Sequence, residues 1–226
     1  MEYFMQRIKT LLPAVVFCLV SACHASPKSP PTQVVYRFDD HRYLELVGYN
    51  CEGALWFTDT KLGIHSQVEE QFYRIFTNKY VHPSERYIAI TMYEGSGFYI
   101  SKDYGRTWDM ASYSPGSGAV RYGASNPERE DIKSFTVVND QGFMLTKAGD
   151  IYMSSKPFDA VDPESGQGGK WGTEYASWNS FAGPKAWTID SDRKNFQGIP
   201  NKVPEVKNYT GWDHMRCDPN LGVTAK

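Results

Sequence analysis

Short apolar and aromatic runs, each closed by a turn of glycine and polar residues, set the pattern of the chain after its first thirty residues. Gly53-Ala-Leu-Trp-Phe-Thr is followed by Asp59-Thr-Lys-Leu-Gly63 and then Ile64-His-Ser. Gly97-Phe-Tyr-Ile-Ser is followed by Lys102-Asp-Tyr-Gly105 and Arg106-Thr-Trp, and Gly142-Phe-Met-Leu-Thr by Lys147-Ala-Gly149 and Asp150-Ile-Tyr-Met. Each reads as strand, tight turn and returning strand. Further strands are predicted at Tyr43–Val47, Tyr87–Thr91 and Ser134–Val138, whereas Ser66–Phe76 fits helix or strand. The leading glycines lie 44 and 45 residues apart, a period in the range of a propeller blade. A worn fourth copy is expected at Gly183–Asp190, with a turn at Ser191–Asn195. The predicted class is all-β or mostly β, as a propeller-like or β-sandwich domain of repeated hairpins after a signal peptide.

The N-terminus follows a different pattern. Arg7 and Lys9 precede an apolar stretch, Leu11–Val20, broken by Pro13 and too short to span a bilayer. Met5-Gln-Arg-Ile-Lys makes a cleaner basic head than Met1, so translation from Met5 is an alternative start. Val20-Ser21-Ala22-Cys23 resembles the lipobox of bacterial lipoproteins, which implies cleavage before Cys23 and lipidation of that residue. An ordinary cut near Ala25 is the competing reading. His24 is not the aspartate that retains lipoproteins at the inner membrane, so the expected location is the periplasm, anchored to the outer membrane. The expected division is residues 1–22 signal peptide, 23–33 lipidated Pro/Ser-rich tether and 34–226 a single β-rich domain.

Composition narrows the class further. Aromatic residues make up 15%, with 15 Tyr and 6 Trp, and the 19 Gly and 13 Pro favour strands and turns. The net charge of −2 gives no bias towards nucleic acid or acidic membranes. With Cys18 in the signal and Cys23 lipidated, Cys51 and Cys217 remain, and in an oxidising compartment they are expected to pair. Two separately buried thiols are the alternative.

The second hairpin carries the most specific motif. Ser101-Lys-Asp103-Tyr-Gly105-Arg-Thr107-Trp108 resembles the Asp-box, S-x-D-x-G-x-T-W, of sialidase-type propellers and related β proteins. There Asp103 would accept backbone N–H bonds, Gly105 would take a positive φ and Trp108 would plug the turn. The box shapes a turn and lies away from the catalytic centre, so it predicts structure, not activity. The sialidase Arg-Ile-Pro signature is missing; Tyr36-Arg37-Phe38-Asp39-Asp40 is the nearest segment. No G-x-S-x-G elbow occurs, and His24, His41, His65, His82 and His214 show no metal-ligand spacing. Asp39-Asp40-His41 reads as a turn opening the next strand. The expectation is no catalytic residue, no metal and no cofactor.

Several stretches resemble a family of bacterial immunity lipoproteins that protect against lipase effectors delivered by type VI secretion. They are Asp39-Asp-His-Arg-Tyr-Leu-Glu-Leu-Val-Gly-Tyr-Asn-Cys51-Glu-Gly, His82–Ile90, Gly97–Trp108, Phe135–Phe143, Tyr152–Pro157 and Val203–Cys217. Together they span most of residues 36–218, with Asp159–Phe196 matching least. The resemblance implies a non-enzymatic binder that occupies a phospholipase in the periplasm, held at the membrane by its lipid. Its binding residues are unassigned; Tyr104, Tyr113, Tyr122 and Trp171 are candidate loop aromatics. A sialidase-like, non-catalytic glycan-binding lipoprotein is the alternative, and a structural envelope lipoprotein the third reading.

Overall fold

A computed structural model describes residues 29–114, 127–154, 180–182 and 202–223. The signal segment, Cys23, the expected fourth repeat after Gly183 and the Tyr122 and Trp171 loops lie outside the described residues, as does the side chain of Tyr113. Twelve strands are described: β1 (Thr32–Arg37), β2 (Arg42–Tyr49), β3 (Glu52–Asp59), β4 (Ile64–Arg74), β5 (Lys79–Val81) and β6 (Ile88–Thr91), then β7 (Phe98–Ser101), β8 (Asp109–Ser114), β9 (Ile132–Val138), β10 (Gln141–Thr146), β11 (Ile151–Ser154) and β12 (Ser180–Ala182). Among the described residues the only helical element is a 3-10 turn at Arg129–Asp131. Ser66–Phe76, ambiguous in sequence, falls mostly in β4. Strand β1 starts inside the stretch read as tether, because Thr32 and Gln33 pair with Val47 and Leu46.

Strands β1 to β4 form an antiparallel sheet in chain order, and the other eight form a second sheet in the order β5-β9-β10-β11-β12-β8-β7-β6. The repeated hairpins are therefore three meanders, β1–β4, β6–β8 and β9–β11. The last two join edge to edge through β12, which runs parallel to β8 and antiparallel to β11. Among the described residues the sheets close no barrel, and the arrangement is sandwich-like.

Turn chemistry sets the register. Asn50 and Cys51 both have positive φ, 53° and 62°, and so do Asn139 and Asp140, 54° and 57°. Two consecutive left-handed residues make the tight hairpin turn whose twist matches that of the strands it joins. Beside the first turn, Gly48 and Gly53 face each other across β2 and β3, and a Cβ on either would run into the opposite backbone. In β2 the buried positions alternate: Arg42, Leu44, Leu46 and Gly48 point inward. Inward-facing Arg42 is satisfied by Asp39 (2.7 Å), the Ser84 carbonyl (2.6 Å) and the Phe38 ring.

The two sheets share one core. Tyr36 lies tilted by 32° against Tyr80 at 4.5 Å, Tyr80 lies parallel to Phe135 at 5.8 Å, and Phe98 meets Phe135 at 5.1 Å. The polar tips of these rings are bonded: Tyr36 donates to the Tyr80 carbonyl (3.0 Å) and Tyr80 to the Ala89 carbonyl (2.6 Å). The Ala89 N–H in turn donates to His82 Nε2 (3.0 Å), so Tyr80 and His82 hold β6 from both sides of one residue.

Residues 209–217 strap the two sheets together. The N–H groups of Trp212 and Arg216 donate to the carbonyls of Arg37 and Val35 on β1, and the Tyr80 N–H donates to the Asp213 carbonyl, each at 2.7–2.8 Å. Met215 is buried, and a disulfide joins Cys217 to Cys51 with Cα atoms 5.8 Å apart. This strap covers the edge of β1, which would otherwise present unpaired backbone groups.

Candidate partner-binding face

The motif residues of the second hairpin converge in one turn between β7 and β8. Asp103 Oδ1 accepts the N–H of Arg106 (3.1 Å) and of Thr107 (2.9 Å), and Oδ2 accepts the Thr107 hydroxyl (2.7 Å). The Ser101 hydroxyl donates to Asp103 Oδ1 (2.8 Å) and accepts the Gly105 N–H (2.8 Å). Partial burial pushes the Asp103 carboxyl up, but the hydrogen bonds from Thr107, Ser101 and Arg106 outweigh it and hold it below the ordinary carboxylate range. Tyr104 and Gly105 both take positive φ, 65° and 85°, and a Cβ on Gly105 would strike the Phe57 ring. Trp108 packs edge-on against Phe57 at 5.7 Å and donates its indole N–H to Ser66 Oγ (2.9 Å). Every polar group of the motif thus serves the turn and its seat on β3 and β4.

Asp39, Asp40 and His41 are brought close enough to offer a cation three ligand atoms within 4.8 Å of one another. Their bonds are those of a turn: Asp39 Oδ1 accepts the N–H of His41 (3.0 Å) and Arg42 (2.7 Å), Oδ2 pairs with Arg42, and His41 Nδ1 contacts Asp40 (2.8 Å). Asp39 is already engaged by backbone donors and Arg42, an arrangement suited to opening β2.

At the other end of the β3–β4 ladder, near Glu52 and Arg74, the surface changes character. Phe72 is 70% exposed, more than any other large hydrophobic residue described, and its φ is 65°. A bulky side chain in the left-handed region is strained. The cause is a bulge. Trp56 pairs with Gln67 but Leu55 with Glu69, which leaves Val68 as one extra residue on β4, and Gly53 pairs with Tyr73, so three further residues of β4 oppose the single Ala54. Ile64 and Val68 point inward, and simple alternation would carry Phe72 inward too. The odd slip at Val68 reverses the parity: Tyr73 enters the core, its hydroxyl 3.3 Å from the Thr91 carbonyl, and Phe72 stands in solvent.

Phe72 separates two grooves. One, of about 470 Å³, runs towards Tyr93, Met92 and Tyr99; the other, of about 390 Å³, runs along Tyr49, Asn50 and Gln71. The walls are held in place. Arg129 lies 4.0 Å above the Tyr93 ring and also donates to the Tyr93 hydroxyl. Arg74 pairs with Glu52 (2.5 Å), and Tyr99 donates to Glu69. Burial, followed by the bond to Glu69, pushes the Tyr99 hydroxyl well up, so it stays protonated and donating. Met110, 64% exposed, is the cross-strand partner of Tyr99 and extends the same face.

Of the loop aromatics expected from sequence, Tyr104 is described: it is 38% exposed beside a smaller hollow of about 230 Å³, with His41, Asp59 and Arg106. Its turn sits against Ser66, which pairs with Phe57, whereas Phe72 lies opposite Ala54, three residues along β3 and roughly 10 Å away. Sequence reasoning missed Phe72, Tyr93, Tyr99 and Arg129. A break in β4 alternation between Val68 and Tyr73 was the available signal.

Residues 28–136, which contain β1 to β8, most of β9 and the whole Phe72 face, match the family model described as T6SS Tli3 immunity protein. Over those residues the chain is similar to the type VI secretion immunity proteins that the model describes. A solved structure described as "YCF48 bound to D1 peptide" is similar at 18% identity, with a TM-score of 0.34. That similarity covers 55% of this chain and 37% of the other, so this chain spans well under half of the solved protein's length. No curated protein matches the chain.

Proposed function

We propose that this protein is an immunity protein that is exported, lipidated on Cys23 and held in the periplasm at the outer membrane, and that neutralises a phospholipase effector by binding it. The family match over residues 28–136 carries the reading. The basic, apolar and small-residue order of residues 5–23 supports export and lipidation, which would station the protein at the membrane that a lipase attacks. The protein acts by occupying its partner and needs no chemistry of its own. Glycan binding by a sialidase-like module has weaker support, since the polar groups of the Asp103 turn are already engaged by the turn itself.

The test uses the purified protein and the lipase encoded at the adjacent locus. Phospholipid hydrolysis should fall in proportion to added protein and stop at one equivalent. Nanomolar affinity, about −12 kcal/mol, would be in keeping with an interface of standard size. Undiminished hydrolysis at excess protein would refute the reading, and saccharide-dependent thermal stabilisation would favour the glycan alternative.

A further inference from the structure

We propose that Phe72 is the anchor through which the protein engages its effector, inserted into an apolar pocket rimmed by lysine and arginine on that partner. The inference rests on the immunity reading and adds to it a place on the molecule and a chemistry for the complementary surface. Three observations converge. First, Phe72 is both strained and exposed, at φ 65° and 70% exposure. The fold gains nothing from a phenyl ring there; glycine or asparagine would suit the left-handed backbone better and expose less apolar surface. Strain kept by a side chain that stands mostly in solvent points to use in binding.

Second, the support beneath Phe72 is stiff. Adjacent Tyr73 is buried, neighbouring Arg74 is paired with Glu52, and Cys51 is tied to the C-terminal strap. Arg129 clamps Tyr93 across the groove. An anchor held this way loses little freedom on docking, and aromatic and arginine side chains dominate interface energetics. Third, the face has a sign. Glu52 and Glu94 line the groove beside Phe72 and Glu69 is held there by Tyr99, against Arg74 and Arg129, an excess of one negative charge. A protein surface of opposite sign matches it, whereas an anionic membrane would be repelled.

The experiment takes the full exported chain, purified from membranes in detergent, and the adjacent-locus lipase as probe. Affinity, association rate and melting temperature are measured for wild type, Phe72→Gly, Phe72→Asn, Phe72→Trp, Glu94→Lys and Tyr104→Ala. Phe72→Gly and Phe72→Asn should melt at or above the wild-type temperature and bind at least about 30-fold more weakly. Phe72→Trp and Tyr104→Ala should stay within about threefold of wild type. Glu94→Lys should slow association several-fold at low salt, with the difference shrinking as salt rises. Binding of both Phe72→Gly and Phe72→Asn within twofold of wild type would overturn the proposal and leave the immunity reading standing. So would a Phe72-dependent self-association with unchanged lipase affinity. A wild-type protein that fails to bind the lipase would overturn both.

Discussion

At the residue scale, burial and hydrogen bonding assign single side chains to opposite tasks. Asp103 has most of its acceptor capacity filled by its own turn, so Asp103→Ala should destabilise the fold by about 1–3 kcal/mol, read from urea unfolding. Binding by the folded fraction should be unchanged, because that turn and the Phe72 face occupy opposite ends of the β3–β4 ladder. Loss of binding in a stable Asp103→Ala protein would move the recognition surface to the turn. His82 makes the pH prediction. Burial, reinforced by nearby Arg42, holds its pKa well below the ordinary 6.5. The unfolded chain therefore takes up a proton on this residue before the folded one does. Stability contributed by neutral His82 is complete above about pH 6.5 and is lost as pH falls towards the depressed value. Urea midpoints for wild type should decline from pH 7 to pH 5, and His82→Gln, which keeps an acceptor for the Ala89 N–H, should flatten that decline. Equal slopes would remove His82 as the cause.

At the element scale, the hairpins are the best-marked feature of the chain. Gly53, Gly97 and Gly142 each lead into a strand, and Gly63, Gly105 and Gly149 each sit at positive φ in the turns that follow. These signals are local, so pattern alone exposes them. The parallel pairing of β5 with β9 and of β12 with β8 joins segments far apart in the chain, and no local pattern records it. Phe72 was hidden for another reason: in an alternating strand its position reads as core, and only the bulge turns it outward. The strap belongs to this scale as well. Closing 166 residues with one disulfide restricts the unfolded chain by about 5 kcal/mol on the entropic model. Replacing Cys51 or Cys217 by Ala should lower the melting temperature by roughly 5–15 °C, and alkylation of the wild-type pair should require prior reduction. A melting temperature unchanged in both variants would mean that the strap holds without its covalent tie.

At the scale of the whole molecule, the proposed reading joins the family match over residues 28–136 to the Phe72 face as parts of one task, binding an effector. Anchoring is separable from binding. Cys23→Ser should move the protein from membranes to the soluble periplasm and abolish incorporation of a fatty-acid analogue, while affinity for the lipase stays the same. Retention of the variant in membranes would contradict lipidation at that residue. The most direct measurement of the central claim is growth of cells carrying the adjacent-locus lipase targeted to the periplasm, with and without this protein. Co-expression should restore growth and halt phospholipid loss, and removal of residues 1–22 should abolish that protection. Equal killing in the presence of well-expressed, exported protein would contradict the immunity reading.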